Sequence, residues 1–314
     1  MKHPAAISGL VFLAAGLILS PGFSRSSKSD PDPQQQLNAP PPAPQPLTVQ
    51  QIRGGIYMVK GGSGANTGFF VGEKEVLVID AKMTEESTRQ ILAEIAKLTP
   101  NPVKTILITH SDGDHVNGLT GFPGGLPVIS QEETRRYMDE AFKDEKLRAY
   151  LPNKTFTDRW SLAVGKKKIE LLHFGPAHTS GDAVVYFPQD KVAFIGDLAF
   201  TGRDPLIHRQ KNGTSLGLMA VLRRIVDLDA DVFIAGHSDP LAKDDIRALL
   251  VSIEGSQARV KAMVREGKTL DEIKKAFGVE DAPVQPGRQP RPSFIEVIYL
   301  DLTGKKLAEA PAGP

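Results

Sequence analysis

The chain contains no cysteine. Disulfides, thiolate metal ligands and cysteine nucleophiles are therefore excluded, and any zinc or iron must be held by imidazole and carboxylate alone. Charge of one sign is also lacking. Thirty-eight Lys and Arg stand against 37 Asp and Glu, a net +1, with only 6% aromatic residues. That balance provides no basic field for a phosphate backbone, so the expected partner is a small-molecule substrate and no nucleic acid. No Gly-x-Ser-x-Gly elbow is present to support a serine triad. Internal repeats are absent, and nothing resembles a flavin-binding domain.

Long apolar runs are scarce too. The one at residues 7–19 follows Lys2 and His3, is short for a bilayer span, and suits the core of a signal peptide. An uncleaved anchor is the alternative. The expected location is periplasmic or secreted, with membrane contact only through this segment. Residues 1–25 are thus read as signal peptide or anchor. Residues 26–47, rich in Pro and Gln, read as a linker. Residues 48–302 read as the globular domain and 303–314 as a flexible tail.

Within that domain, short β-branched runs at 56–59, 68–71 and 76–79 predict a meander. A helix with Ile91, Leu92, Ile95 and Leu98 on one face follows, and then a strand at 103–109 expected to be buried on both faces. Strands are predicted at 169–174, 183–187, 192–195 and 232–235. Helices are predicted around Leu218 to Leu228, around Ile246 to Ile253, and from the capping box Thr269 to Glu272 as far as Gly278. Residues 294–302 suit a final strand or helix. Two runs of strands, each with helices, predict a layered α/β sandwich.

The chemistry collects at strand ends. His110 and His115 follow the 103–109 strand, in the window His110, Ser111, Asp112, Gly113, Asp114, His115. His178 follows the 169–174 strand, Asp197 the 192–195 strand and His237 the 232–235 strand. Side chains just past the ends of buried strands converge from distant segments. Imidazoles mixed with carboxylates suit zinc, iron or manganese. One histidine after a strand is ordinary packing, and one Asp in a Gly-rich turn is ordinary turn chemistry. The same placement repeated along the chain points to a metal centre.

The order H-x-D-x-D-H, G-P-A-H-T, G-D and G-H resembles the ligand series of the metallo-β-lactamase superfamily, whose usual first motif is H-x-H-x-D-H. The segment 62–68 and Leu77 to Asp80 resemble its opening strands, and the resemblance runs from about Val49 to Leu302. It implies an α/β fold, a four-layer αββα sandwich, holding two divalent metal ions. The implied first metal takes His110, Asp112 and His178; the second takes Asp114, His115 and His237; Asp197 bridges them beside a shared hydroxide. The implied activity is metal-dependent hydrolysis, with the metal-bound hydroxide attacking a lactam, lactone, thioester or ester-like bond. Asp114 is the implied catalytic residue, orienting that hydroxide or receiving its proton.

Asp112 stands where the superfamily usually has histidine. An added anion weakens the first metal as a Lewis acid and favours iron or manganese over zinc. Flavodiiron proteins, which resemble the same fold, place a carboxylate there and use iron. A non-haem diiron-type oxidoreductase and a non-catalytic metal binder are accordingly the alternatives, the latter with Asp112 unligated. Secreted β-lactamases of the superfamily commonly carry Cys or Ser in the place of Asp197, so that narrower assignment is not made. Around this set, Asp80 is expected to support a ligand. Thr179 and Asp182 either orient His178 or form a turn. His208 reads as a surface-loop histidine with cleft lining as the alternative, His173 as packing, and Lys60 and Arg203 as solvated charge with binding of a substrate carboxylate as the alternative. Segments 205–215 and 282–292 are the candidate covers of the cleft.

Overall fold

The structure, a computed structural model, describes residues 46–280 and 291–305. The signal segment, almost all of the linker, residues 281–290 and residues 306–314 lie outside the described residues, and with them most of the 282–292 cleft cover.

A seven-stranded sheet runs in the order β1-β2-β3-β4-β5-β6-β7, comprising Leu47–Arg53, Ile56–Gly61, Thr67–Val71, Val76–Ile79, Val103–Leu107, Val128–Gln131 and Lys154–Phe156. Strands β1 to β4 pair antiparallel as a meander, and β4 to β7 are parallel. Strand β1 begins at Leu47, the last residue assigned to the linker, where Leu47 pairs with Gly61. A second sheet of six strands has the order β13-β12-β11-β10-β9-β8, with β8 Arg159–Val164, β9 Lys167–Leu172, β10 Val184–Phe187, β11 Val192–Gly196, β12 Val232–Ala235 and β13 Leu241–Ala242.

Period-two alternation stacks the layers. In β4, Leu77 and Ile79 enter the core between the sheets, whereas Val76 and Val78 pack outward against Ile91 and Ile95 of helix α1 (Glu85–Leu98). In β10, Val185 and Phe187 face inward, while Val184 and Tyr186 join an outer layer. That layer is built by Leu218, Leu222 and Ile225, and by Ile246, Ile253, Ile295 and Ile298. Each such side chain contributes about 1.5–3 kcal/mol when withdrawn from water. The result is helix, sheet, sheet, helix, the four-layer sandwich.

Between β5 and β6 lies the short helix α2 (Gly113–Val116), and after β6 come α3 (Glu132–Ala141) and α4 (Glu145–Arg148). Helices α5 (Ser215–Val226), α6 (Lys243–Arg265), α7 (Leu270–Phe277) and α8 (Phe294–Thr303) complete the described chain. Thr269 and Glu272 close the capping box of α7, which stops at the left-handed Gly278, φ 66°. The last segment is a helix rather than a strand because Ser293 and Glu296 form a second capping box. Strand β5 is buried on both faces, Leu107 in the core between the sheets and Val103 and Ile106 on the α1 side, and Lys104 near its start is exposed.

Candidate metal centre

The site lies where the strands of both sheets end. Strand β5 leads to His110 and, through α2, to Asp114 and His115; β11 ends directly before Asp197; β12 ends two residues before His237. His178 sits six residues beyond β9, on the turn that returns the chain to β10. Ligand-competent atoms of His110, Asp112, His178 and Asp197 lie within 4.8 Å of one another, as do those of Asp114, His115 and His237.

The two groups meet at Asp197. Its Oδ1 is 3.2 Å from His115 Nε2, and its Oδ2 is 3.2 Å from His237 Nε2 and 4.0 Å from His110 Nε2. His237 Nε2 is also 3.1 Å from Asp114 Oδ2, and His178 Nε2 is 3.2 Å from Asp112 Oδ2. Bonds of about 2.0–2.1 Å in tetrahedral geometry separate neighbouring donors by about 3.3 Å, so these spacings suit ions placed between them.

Three of the four rings are fixed by their other nitrogen. His115 Nδ1 is 2.8 Å from Asp80 Oδ2, His178 Nδ1 is 2.7 Å from the Leu206 carbonyl, and His110 Nδ1 is 3.1 Å from Thr109 Oγ1. Asp80 also accepts from the Thr109 amide and hydroxyl at 2.8 and 2.7 Å. It thereby ties β4, β5 and His115 together, the supporting part expected of it. The backbone is strained here, since Asp80 and Lys82 adopt φ of 62° and 63°, a region unfavourable to side chains.

Among the described residues, His110 Nε2, His115 Nε2 and Asp197 Oδ1 are buried without a hydrogen-bond partner. The close approach of His115 Nε2 to Asp197 Oδ1 is not aligned as a hydrogen bond. Orphaned buried groups are costly unless something else satisfies them, and all three face the same space. A Cβ on Gly236 would lie 2.1 Å from Asp197 Oδ1 and 2.9 Å from His115 Cε1, so only glycine leaves that space clear. The donor set therefore fits a pair of divalent ions.

Protons stand in for those ions in the metal-free protein. Hydrogen bonds donated to Asp114 and Asp197 raise His237 to about 9. Burial opposes charge on His178, yet its bond to Asp112 raises it to about 9. Burial likewise works against ionised Asp197, but His115 holds it well below the usual carboxylate range. His110 is depressed well below the ordinary range, by burial first and then by His115.

Sequence reasoning missed two residues and misplaced a third. His208 is buried rather than a surface-loop residue, and its Nε2 lies 2.7 Å from Asp112 Oδ2. Backbone bonds from His208 N to His178 O and from Thr214 N to Ala177 O draw its segment inward. Lys211 Nζ donates to Asp112 Oδ1 at 2.7 Å. Lys82 is fully buried, donating to the carbonyls of Val59, Gly61 and Ala65, and burial lowers it to about 8. The glycines at 61, 62 and 64, left-handed in the structure, are the sequence signal that could have pointed to a turned loop able to receive it.

The other candidates divide. Asp182 accepts from the Thr179 amide and hydroxyl, which is turn chemistry, and the Leu206 carbonyl takes the bond from His178. His173 bonds the Asp182 carbonyl at 2.8 Å and stays outside the cluster. Lys60 pairs with Asp239. The Arg203 guanidinium lies 4.0 Å over Phe200, whose ring stacks on His237.

Residues 61–237 match the sequence profile of the metallo-beta-lactamase superfamily. The chain belongs to that superfamily. It is similar to the 2,4-dinitroanisole O-demethylase subunit alpha of a Nocardioides species, 25% identical over 72% of this chain and 68% of that protein. It is also similar to the metallo-beta-lactamase type 2 of Elizabethkingia meningoseptica, 34% identical over 44% of this chain and 53% of that protein. Among solved structures, a metallo-beta-lactamase from Pontibacter korlensis superposes with a TM-score of 0.58 at 22% identity, over 67% of this chain and 99% of that one. That likeness establishes the fold of this superfamily member. The chain spans about half the length of the type 2 β-lactamase and about two thirds of the demethylase subunit.

Proposed function

We propose that this superfamily member is an exported, metal-dependent hydrolase acting on a lactam, lactone, thioester or ester-like bond of a small molecule. The observation that carries the proposal is the convergence of four imidazoles and three carboxylates, with buried His110 Nε2, His115 Nε2 and Asp197 Oδ1 left unpaired toward a common space. Divalent ions, when bound, supply a Lewis acid and render water acidic enough to attack near neutral pH.

The chain's own groups do the rest. His110, Asp112 and His178 would hold the first ion, Asp114, His115 and His237 the second, and Asp197 both. Partly exposed at the mouth of the site, Asp114 would be placed to orient the attacking water or receive its proton. The β-lactamase relative supports lactam-like substrates, and the demethylase relative extends the range to an aryl ether.

The test is turnover by purified protein loaded with zinc or manganese on a panel of lactams, lactones, thioesters and aryl esters. Hydrolysis lost on chelation and in Asp197→Ala supports the proposal. Two bound ions with no turnover on the panel sink it, and oxygen or peroxide consumption by the iron-loaded protein would favour the diiron-type oxidoreductase. Export is supported by the 7–19 apolar run after Lys2 and His3. Cell fractionation with N-terminal sequencing checks it, and an intact N-terminus on cytoplasmic protein would overturn it.

A further inference from the structure

Asp112 is surrounded by donors that the first half of the site does not need merely to hold an ion. Lys211 Nζ donates to its Oδ1 at 2.7 Å and also reaches Ser111 Oγ at 2.9 Å and the Ser111 carbonyl at 3.2 Å. His208 Nε2 lies 2.7 Å from Oδ2. The Gln210 amide nitrogen faces His208 Nδ1 at 2.9 Å, so Nδ1 accepts and the ring proton of neutral His208 sits on Nε2, donated to Asp112.

Both donors are rigidly delivered. Their segment is laced to the loop bearing His178 through His208 N to His178 O, Ser180 N to Lys211 O and Thr214 N to Ala177 O. Its far end is fixed by Asp301 of α8, which accepts from Arg209, Thr214, the Ser215 amide and the Ser215 hydroxyl. Lys211 is four-fifths buried, so water screens its charge little. Asp112 Oδ2 still faces His178 Nε2 at 3.2 Å and His110 Nε2 at 3.8 Å, leaving one lone pair for the space those rings enclose.

We propose that Lys211 and His208 are positioning residues that make Asp112 a charge-compensated, single-oxygen donor to the first metal. Lys211 occupies Oδ1 and cancels the carboxylate charge, while His208 pins Oδ2 so that one lone pair points at the ion. The proposal rests on the site being a metal centre. An Asp112–Lys211 pair has zero net charge, as a neutral imidazole would, so the weakened Lewis acidity that Asp112 alone implies is offset. Only the hardness of oxygen then remains to favour iron or manganese.

A charge swap tests the coupling without relying on turnover. Metal-free wild type, Asp112→His, Lys211→Met and the double variant are titrated with zinc, with stoichiometry by elemental analysis and melting of the metal-free forms as the folding control. Asp112→His alone leaves an unpaired ammonium beside a dication and should weaken the first ion about tenfold or more, with the second retained. Asp112→His combined with Lys211→Met should recover wild-type affinity to within about threefold. Equal first-ion affinity in the single and double variants overturns the proposal while leaving the metal centre standing. No ion bound by wild type removes the metal centre itself, and the proposal with it.

If Asp112→His fails to fold, Lys211→Arg and Lys211→Met decide. Freeing Oδ1 and its charge should raise the manganese-to-zinc affinity ratio about tenfold in Lys211→Met, with Lys211→Arg at the wild-type ratio. An unchanged ratio in both overturns the proposal.

Discussion

The two halves of the centre use the same kinds of donor but are supported from opposite ends of the chain. The second half is held by residues that precede it: Asp80 fixes His115, Ala65 N bonds the Asp114 carbonyl, and Asn66 bonds Gly236, Ala235 and Ser238 around His237. It is also the open half, with the side chains of Asp114 and His237 24% and 31% exposed. The first half is sealed, His110 and His178 being 1% exposed, and apart from Thr109 beside His110 its supports come later: the Leu206 carbonyl, His208 and Lys211, anchored by Asp301. A sealed half with a compensated anion suits a fixed structural charge, and an open half with Asp114 suits contact with water and substrate.

The largest effect expected is from Asp197→Ala, which removes the carboxylate common to both halves. Turnover should fall by about a thousandfold or more, roughly 4 kcal/mol on the barrier, with metal content dropping from two toward one. Survival of both ions would dissolve the idea of a shared ligand. Next, Asp80→Ala frees the His115 ring and should weaken the second ion about 10–100-fold, as loss of an orienting partner does elsewhere. The first ion, read by the same calorimetric titration, should weaken less, because Asp80 reaches His110 only through the Thr109 hydroxyl.

Asp301→Ala addresses the other half. Its four accepted bonds hold the segment carrying His208 and Lys211, so the first ion should weaken about tenfold with the second unchanged. Equal losses at both ions in either variant would erase the distinction between the halves.

The smallest effect expected is on the metal-free fold. His178 and His237, raised from 6.5 to about 9, contribute stability that is fully present below pH 6.5 and lost as pH rises through about 9. Lys82, lowered to about 8, acts in the opposite sense above that pH. The melting temperature of the metal-free protein should therefore decline between pH 6.5 and 8, and the zinc-loaded form should show no such decline, because the ions replace the protons. Parallel profiles would show that the protons and ions do not compete.

Legibility followed locality. The strands bearing the site could be read because alternation such as Leu77 and Ile79 against Val76 and Val78 is written into neighbouring residues. Strands β6 and β7 escaped because they are only four and three residues long and include Ser130 and Thr155, whereas β8 alternates Trp160, Leu162 and Val164 with Arg159, Ser161 and Ala163, a period the sequence did offer. Residues 294–302 stayed open between strand and helix because β-branched, nearly continuous apolar character does not choose, whereas the Ser293 cap does.

By itself, the sequence determined the superfamily, the sandwich and the strand-end positions of the His and Asp groups, since strand, turn and motif are short-range patterns. Only the tertiary structure decided that Lys82 lies buried in a ring of carbonyls and that His208 and Lys211 close on Asp112 from 96 and 99 residues away. No periodicity encodes such meetings. They arise from long-range backbone bonds, such as those that lace the segment of His208 and Lys211 to the His178 turn.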